Sequence, residues 1–137
     1  MKRTVLFLCT GNSCRSQMAE AIINNRLGDS WEAVSAGTKP TGYVHPKVRT
    51  VLAEFGIEHK GRSKSVDEFR GEDFDLVVTL CDSANNECPT WLGKGKRYHH
   101  SFPDPAITDD ITDFRMVRDD INQEIIMLLK NYDKGVT

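Results

Sequence analysis

The chain has 137 residues, of which 18 are basic and 20 are acidic, and its formal net charge is −2. A chain of this length can bury a sizeable core as one domain without disulfide bonds or a structural metal. The near balance of charges excludes the strongly basic surface that a nucleic-acid-binding protein presents. We therefore expect no nucleic-acid partner, and any anionic ligand must be bound by a local group of donors.

Two apolar segments bear on membrane contact. Residues 5–9 follow two basic residues, but they are fewer than the roughly 7–15 residues that form the core of a secretion signal. Residues 125–129 are the longest apolar run elsewhere, far below the roughly 20 residues needed to cross a bilayer. We therefore predict a cytoplasmic protein without membrane contact. In that compartment the four cysteines are expected to be reduced, or to form only transient, catalytic disulfides.

The first predicted elements are a strand and a helix joined by a tight loop. Residues 4–9 form an apolar run rich in Val, Leu and Phe, which is typical of a buried strand. Ser16 is predicted to cap a helix whose apolar residues recur at helical spacing as far as Gly28. Residues 9–15 thus lie between the end of a strand and the start of a helix.

A second strand and helix come next in the same order. Residues 31–37, WEAVSAG, are a strand candidate, and Pro46 suits the first turn of a helix that Gly56 ends. The apolar face of this helix is predicted to consist of Val48, Val51, Leu52 and Phe55.

The second half of the chain continues the alternation. Residues 74–81, FDLVVTLC, form a strongly apolar strand candidate, and residues 97–102 form a weaker one. Residues 82–96 are polar and rich in Asn, Gly and Pro, so we expect a surface loop. Helices between strands predict a single α/β domain over residues 1–137, with a four-stranded parallel sheet flanked by helices. One face of a long final helix is predicted from Ile111, Phe114, Val117, Ile121, Ile125 and Leu128.

The loop after the first strand has the composition of an anion site. In open parallel sheets, ligands bind at the carboxyl ends of the strands, where backbone N–H groups at a helix N-terminus face the anion. Gly11 extends the conformations available to the loop, and Arg15 adds a planar fork of donors. The same positive charge favours the thiolate form of Cys9 and makes it a candidate nucleophile. The predicted oxyanion-binding residues are Thr10, Gly11, Asn12, Ser13, Cys14, Arg15 and Ser16.

Taken alone, a cysteine at the end of a strand is more often an inert core residue than a nucleophile. The complete pattern is more specific, because residues 9–16, CTGNSCRS, resemble the C-x5-R phosphate-binding loop of the low-molecular-weight protein tyrosine phosphatases. Arsenate reductases that share their fold carry the same loop. The resemblance continues at SAG, VVTLC and DPA in residues 35–37, 77–81 and 104–106. It implies the low-molecular-weight phosphatase fold over most of the chain.

Two chemistries share this loop and diverge after the first attack. A cysteinyl phosphate needs only hydrolysis, whereas reducing arsenate to arsenite requires two electrons, which a second thiol can supply. A reductase must therefore carry further cysteines. Cys81 ends the third predicted strand, at the same edge of the sheet as Cys9, and Cys88 lies seven residues beyond it.

Residues 78–89, VTLCDSANNECP, resemble the redox segment of the thioredoxin-coupled arsenate reductases. The resemblance implies a relay in which Cys9 attacks arsenate, Cys81 attacks Cys9 to release arsenite, and Cys88 attacks Cys81. Thioredoxin, or alternatively glutaredoxin, then reduces the Cys81–Cys88 disulfide. Arsenate is the implied substrate, phosphate and sulfate are expected to bind as analogues, and weak phosphatase activity is expected as a side reaction. We expect a monomer.

Two other interpretations remain open from the residues. One is a tyrosine phosphatase that uses Cys9, Arg15 and Asp104. The resemblance identifies Asp104 as the general acid. Taken alone, the sequence Pro-Asp-Pro is more often just a turn. The phosphatase interpretation is weakened because residues 106–108 are Ala-Ile-Thr, where such phosphatases usually carry aromatic residues. Another is a non-catalytic oxyanion-binding or redox-sensing module. A zinc site is disfavoured because the cysteine spacing is unlike the usual pairs, and we predict no metal site.

The resemblance also identifies residues that support the loop. Asn12 and Ser16 are expected to brace it and to donate a hydrogen bond to the nucleophilic sulfur. Some reductases of this kind bind potassium through an Asn, a Glu, a Ser and an Asp; Asn12, Glu20 and Ser35 match three of them, and the fourth position falls on Lys64. Either the Lys64 ammonium replaces the cation, or Lys64 is a solvated surface residue. No tightly bound cofactor is expected, and the histidines, which lack ligand spacing, are assigned to structure or surface.

Overall fold

The computed structural model describes residues 2–86 and 96–135, and its elements alternate between strands and helices. Cys88 is not among these residues, so the prediction for its position lies outside the described part of the chain. The elements are β1 (Arg3–Cys9), α1 (Arg15–Arg26), β2 (Trp31–Gly37), α2 (Pro46–Ala53), a 3-10 helix (Val66–Phe69), β3 (Leu76–Thr79), α3 (Asp82–Asn86), β4 (Lys96–His99) and α4 (Ile111–Asp133).

The sheet has the predicted architecture. Its four strands are all parallel and lie in the order β2-β1-β3-β4. Cys9 pairs with Gly37 on one side of β1, and Leu8 pairs with Thr79 on the other. The carboxyl ends of β1 and β3 therefore meet at one edge of the sheet, as the prediction of a shared site requires.

The core explains why these segments fold as they do. Strand β1 is fully buried along its apolar residues, because it is central in the sheet. Helix α4 packs against α1 and α2 through the predicted apolar face, of which Phe114, Ile121 and Ile125 are fully buried. Ile111, at the first turn of that helix, is only half-buried. The helical period of the apolar residues was thus sufficient to predict this packing.

Three boundaries differ from the sequence prediction. Helix α2 ends at Ala53, so Phe55, which was predicted on its apolar face, lies beyond the helix. Strand β3 is limited to Leu76–Thr79, although Leu80 N still donates to Leu8 O at 2.8 Å. Strand β4 is Lys96–His99, an edge strand whose residues are all exposed, and this exposure explains its weak apolar signal. The predicted loop after β3 begins as a helix, Asp82–Asn86.

Ser16 does not cap α1, contrary to the prediction. The helix begins at Arg15, its N-cap position is Cys14, and no side chain caps it. The Ser16 hydroxyl instead lies inside the first turn and contacts the Cys9 sulfur. An uncapped helix end leaves N–H groups free to bind an anion, which a capping hydroxyl would occupy.

Among the residues that the structure describes, no helix combines the length and the apolar character that crossing a bilayer requires.

Candidate active site

The loop between β1 and α1 turns its carbonyl groups outward. Six consecutive carbonyl oxygens, from Cys9 to Cys14, accept hydrogen bonds from groups around the loop. The donors, in order, are Thr38 N at 3.2 Å, Lys39 N at 2.9 Å, Thr41 N at 3.0 Å, Gln17 Nε2 at 3.1 Å, His45 N at 3.1 Å and Met18 N at 3.0 Å. Because C=O and N–H point in opposite directions across a trans peptide, this arrangement turns the following N–H groups towards the inside of the loop. The result is a concave nest of backbone donors at the N-terminus of α1.

The nucleophile candidate lies at the base of this nest. Cys9 is 2% exposed, and its sulfur lies 3.0 Å from Ser16 Oγ. Asn12 Nδ2 donates to the same Ser16 oxygen at 2.7 Å, which leaves the hydroxyl hydrogen available to the sulfur. A hydrogen bond from this hydroxyl would orient the sulfur, whose thiolate is the reactive nucleophile. This geometry supports the roles predicted for Asn12 and Ser16.

Asn12 holds the loop in an unusual backbone conformation. Its φ is +49°, in the left-handed region that asparagine tolerates better than most residues, and its side chain is fully buried. Its Oδ1 accepts from Lys64 N at 3.0 Å, which fixes the orientation of the amide. Gly37 permits this packing, because a Cβ there would lie 2.5 Å from Thr10 O and 3.1 Å from Asn12 N.

Arg15 and Asp104 form one side of the cleft above the nest. Arg15 Nη1 donates to Phe102 O at 3.0 Å, and Arg15 Nη2 lies 3.8 Å from Asp104 Oδ2. Arg15 Nε is buried and has no hydrogen-bond partner among the described residues, as expected of a donor that serves a bound anion. The cleft has a volume of about 120 Å³, and both side chains line it together with Cys9. A tetrahedral oxyanion thus has a binding site with a carboxyl group at its edge.

Cys14 lies in the same loop but in a different electrostatic environment. Burial, followed by the negative charge of Asp104, raises the pKa of the Cys14 thiol to about 12. Cys14 therefore stays protonated at neutral pH and is a poor nucleophile there.

Cys81 lies beside the nest rather than within it. The residue is a buried free thiol two residues beyond the end of β3. Its sulfur is 3.3 Å from the hydroxyl of Thr10, the residue that follows Cys9, and it accepts a hydrogen bond from Ala84 N at 3.4 Å. Cys88, the third predicted thiol, falls outside the described residues.

The predicted supporting residues beyond the loop also come together. Ser35 Oγ donates to Glu20 Oε1 at 2.9 Å, and Lys64 Nζ lies 3.7 Å from the same carboxylate oxygen. Lys64 Nζ also donates to Arg62 O at 3.2 Å, and its side chain is only 11% exposed. Burial lowers the pKa of Lys64, and the neighbouring Glu20 carboxylate opposes that shift. Lys64 is therefore a largely buried cation beside Glu20 and not a solvated surface residue.

Sequence reasoning missed several residues of this region. Gln17 and His59 form a polar layer behind the loop, and Tyr43 and His45 line the cleft. His59 comes from a segment 42 residues away from Gln17, so no local pattern could have indicated their contact. Gln17 carries a weak signal, because it is a polar residue among small and apolar residues in a helix that begins at an anion loop.

The fold and this site define a class of protein. A family profile described as low molecular weight phosphotyrosine protein phosphatase matches residues 4–137. The chain belongs to this family, which confirms the resemblance seen in its phosphate-binding loop.

Individual members of the family and their solved structures resemble this chain over most of its length. "Arsenate reductase 1" of Bacillus cereus is 44% identical over 125 residues, which cover 90% of this chain and 92% of that protein. A solved structure described as "An arsenate reductase in the phosphate binding state" has a TM-score of 0.84 and 28% identity, and the match covers 94% of this chain and 98% of that one. The YwlE arginine phosphatase from Geobacillus stearothermophilus has a TM-score of 0.80 and 26% identity, with coverage of 97% and 94%.

Proposed function

We infer that this chain is an arsenate reductase that attacks its substrate with a cysteine held in an anion-binding nest. The observation that carries this conclusion is the second thiol, Cys81, whose sulfur lies against the residue next to Cys9. A phosphatase has no use for a thiol at this position, whereas reduction of arsenate requires an electron pair from one. The name of the Bacillus cereus relative supports the same activity.

The first step uses the nest and the carboxyl group at its edge. Arsenate binds to the inward N–H groups and to Arg15, and the Cys9 thiolate attacks arsenic. A sulfur–arsenic bond forms while one arsenic–oxygen bond breaks. Asp104, on the cleft side of Arg15, gives its proton to the departing arsenate hydroxyl, which leaves as water.

The second step transfers the electrons. The Cys81 thiolate attacks the Cys9 sulfur, a disulfide forms, and the sulfur–arsenic bond breaks. The electron pair of that bond stays on arsenic, so As(V) becomes As(III) and leaves as arsenite while two thiols become one disulfide. The contacts of the Cys81 sulfur with the Thr10 hydroxyl and the Ala84 N–H support this role, because they hold the sulfur close to the residue that follows Cys9.

The third step restores the nucleophile. The Cys88 thiolate attacks the Cys81 sulfur, which frees Cys9 as a thiolate and leaves a Cys81–Cys88 disulfide. Forming that bond requires the two Cα atoms to approach within about 7 Å. The dithiol of thioredoxin then reduces the disulfide. One chain carries all three thiols, so we propose a monomer, acting in the cytoplasm where thiols are kept reduced.

We also propose that Lys64 takes the place of a potassium ion in supporting the loop. Its ammonium faces Glu20 while its backbone N–H holds Asn12, so one residue supplies both the charge and the anchor. A potassium ion beside Glu20 would be repelled by this ammonium at close range. Replacing potassium chloride by choline chloride should therefore leave the rate of the wild type unchanged within about twofold. A rate that depends strongly on potassium would contradict this proposal.

The proposed function is tested by arsenate-dependent oxidation of NADPH in the presence of thioredoxin reductase and thioredoxin. The wild type should turn over many times, and Cys81→Ser and Cys88→Ser should not, because each interrupts the passage of the electron pair. Substituting glutaredoxin and glutathione for thioredoxin identifies the donor. Full multiple turnover in both variants would overturn the three-thiol relay. A wild type that ignores arsenate and cleaves phosphotyrosine efficiently would be a phosphatase instead.

A further inference from the structure

A buried amide lies behind the anion loop and holds it from outside the cleft. Gln17 is fully buried in the first turn of α1. Its Nε2 donates to Asn12 O and Asn12 Oδ1, both at 3.1 Å, and to Arg62 O at 2.9 Å. All three partners are oxygens that can only accept, so the orientation of the Gln17 amide is fixed and its Oε1 points the other way.

His59 meets that oxygen. Its Nε2 lies 2.7 Å from Gln17 Oε1. Because Oε1 can only accept, the hydrogen must be on Nε2, which defines the tautomer of the neutral ring. Burial lowers the pKa of His59, so the neutral form is favoured. Of the charged groups around it, Glu20 on α1 opposes this shift, while Arg49 on α2 and Lys64 add to it.

Gly61 packs directly against this contact. Gly61 has a φ of +57°, and a Cβ at this position would lie 2.4 Å from His59 Nε2 and 2.6 Å from Gln17 Oε1. Any other residue here would push the two side chains apart. The segment that carries His59 and Gly61 thus closes tightly over the Gln17 amide.

We propose that His59 is a positioning residue for the nucleophile and acts through Gln17. Its Nε2–H fixes the Gln17 amide, and Gln17 in turn holds Asn12 in its left-handed conformation. Asn12 then directs the Ser16 hydroxyl at the Cys9 sulfur. The hydrogen bonds from His59 to Gln17, from Gln17 to Asn12 and from Asn12 to Ser16 each have one allowed direction, so loss of His59 removes the donor to Gln17 Oε1 and weakens the hold of the amide on Asn12. The role rests on the proposed function only in so far as Cys9 is the nucleophile.

The test measures how fast iodoacetamide alkylates Cys9 as a function of pH, by mass spectrometry of the full chain. His59→Leu should slow the reaction at neutral pH by about tenfold, the size expected for one lost buried hydrogen bond, and should move the profile to higher pH. His59→Gln restores an N–H donor at this place and should stay within about twofold of the wild type. Gln17→Leu should match His59→Leu, and the double variant should be no slower, because both residues act in series.

Asn24→Leu is the matched control, because Asn24 is another amide of α1. Asn24 exchanges two hydrogen bonds with the backbone of Ala33, at 2.9 and 2.8 Å, away from the loop. It should lower thermal stability and leave the alkylation profile unchanged. His59→Leu with the wild-type profile, or additive effects of the two substitutions at Gln17 and His59, would overturn the proposal. In the wild type, ¹⁵N chemical shifts that place the His59 hydrogen on Nδ1 would do the same without any variant. None of these measurements requires arsenate, so a failure here is distinguishable from a failure of the reductase assay.

Discussion

Strands β1 and β3 are neighbours in the sheet, and each leads into a cysteine at its carboxyl end, yet the two ends are built for different tasks. Cys9 is followed by a loop whose six carbonyls are bonded to its surroundings, so its N–H groups face a fixed point. Cys81 is followed at once by the short helix α3, and its sulfur contacts one hydroxyl and one backbone N–H. The carboxyl end of β1 forms an anion site, and the carboxyl end of β3 positions a thiol beside it.

This difference shows how one fold can support both oxyanion chemistry and electron transfer. Binding and attacking an oxyanion requires fixed donors that surround it, which only the end of β1 provides. The next step, attack on the Cys9 sulfur to release arsenite, requires a second thiol that is adjacent to Cys9 but outside the anion site. Substitutions at the β1 end should therefore affect every oxyanion substrate, whereas substitutions at the β3 end should affect arsenate alone.

The largest effect is expected for Cys9→Ser. A serine hydroxyl is a much weaker nucleophile than a thiolate in the same nest, so arsenate reduction and p-nitrophenyl phosphate hydrolysis should both fall, on the order of 10⁶-fold. Steady-state assays of the two substrates check this. Cys14→Ala is the control at the other cysteine of the loop and should keep most of both activities. If Cys9→Ser retained either activity, the nucleophile would have to be another residue.

Cys81→Ser should separate the two activities. Multiple-turnover arsenate reduction should disappear, because no thiol next to Cys9 remains to supply the electron pair that reduces arsenic. Hydrolysis of p-nitrophenyl phosphate should stay within about threefold of the wild type, since the anion site is intact. The two assays on one preparation of the variant give this ratio. A parallel loss of both activities would mean that Cys81 belongs to the anion site itself.

A smaller loss of rate is expected for Asp104→Asn. An amide cannot give a proton to the departing oxygen, and removing a general acid costs about 10²–10⁴-fold in rate. The measurement is kcat on both substrates for Asp104→Asn and the wild type. Asp110→Asn is the matched control, because Asp110 caps α4 by accepting from Thr112 N at 2.9 Å and asparagine caps equally well. Equal rates for Asp104→Asn and the wild type would assign the proton to another donor.

The smallest effect concerns the second cysteine of the loop. The pKa of Cys14 is raised to about 12, so its thiol remains protonated at neutral pH and deprotonates only as the pH approaches that value. Iodoacetamide should label Cys9 first near neutral pH, with phosphate or arsenate protecting it, while labelling of Cys14 stays low. Peptide mass spectrometry over a pH series resolves the two sites. Labelling of Cys14 as fast as Cys9 at neutral pH would mean that both sulfurs share one environment.

Sequence patterns were most informative where a single periodicity decides the structure. The apolar run at residues 4–9, the strand Trp31–Gly37 and the helix that begins at Pro46 were all predicted, because burial on a sheet or on one helical face leaves a local signature. The C-x5-R spacing likewise located the loop.

The sequence was misleading or silent where function competes with local rules. Ser16 is a residue type that often caps helices, but its hydroxyl contacts the Cys9 sulfur instead. The N-terminus of α1 therefore has no side-chain cap. The contact of His59 with Gln17 joins distant segments and leaves no periodic trace. The sequence did not decide whether Lys64 supports the loop or is a solvated surface residue, because only the fold brings its ammonium to Glu20.

The division of labour between the two strand ends is tested most directly by mapping the disulfide that arsenate produces. Fully reduced protein is mixed with arsenate in the absence of thioredoxin, quenched in acid, alkylated and analysed by peptide mass spectrometry. The relay predicts one arsenate-dependent disulfide, between Cys81 and Cys88, with Cys9 and Cys14 recovered as alkylated thiols. A disulfide that includes Cys14, or no arsenate-dependent disulfide at all, would contradict it.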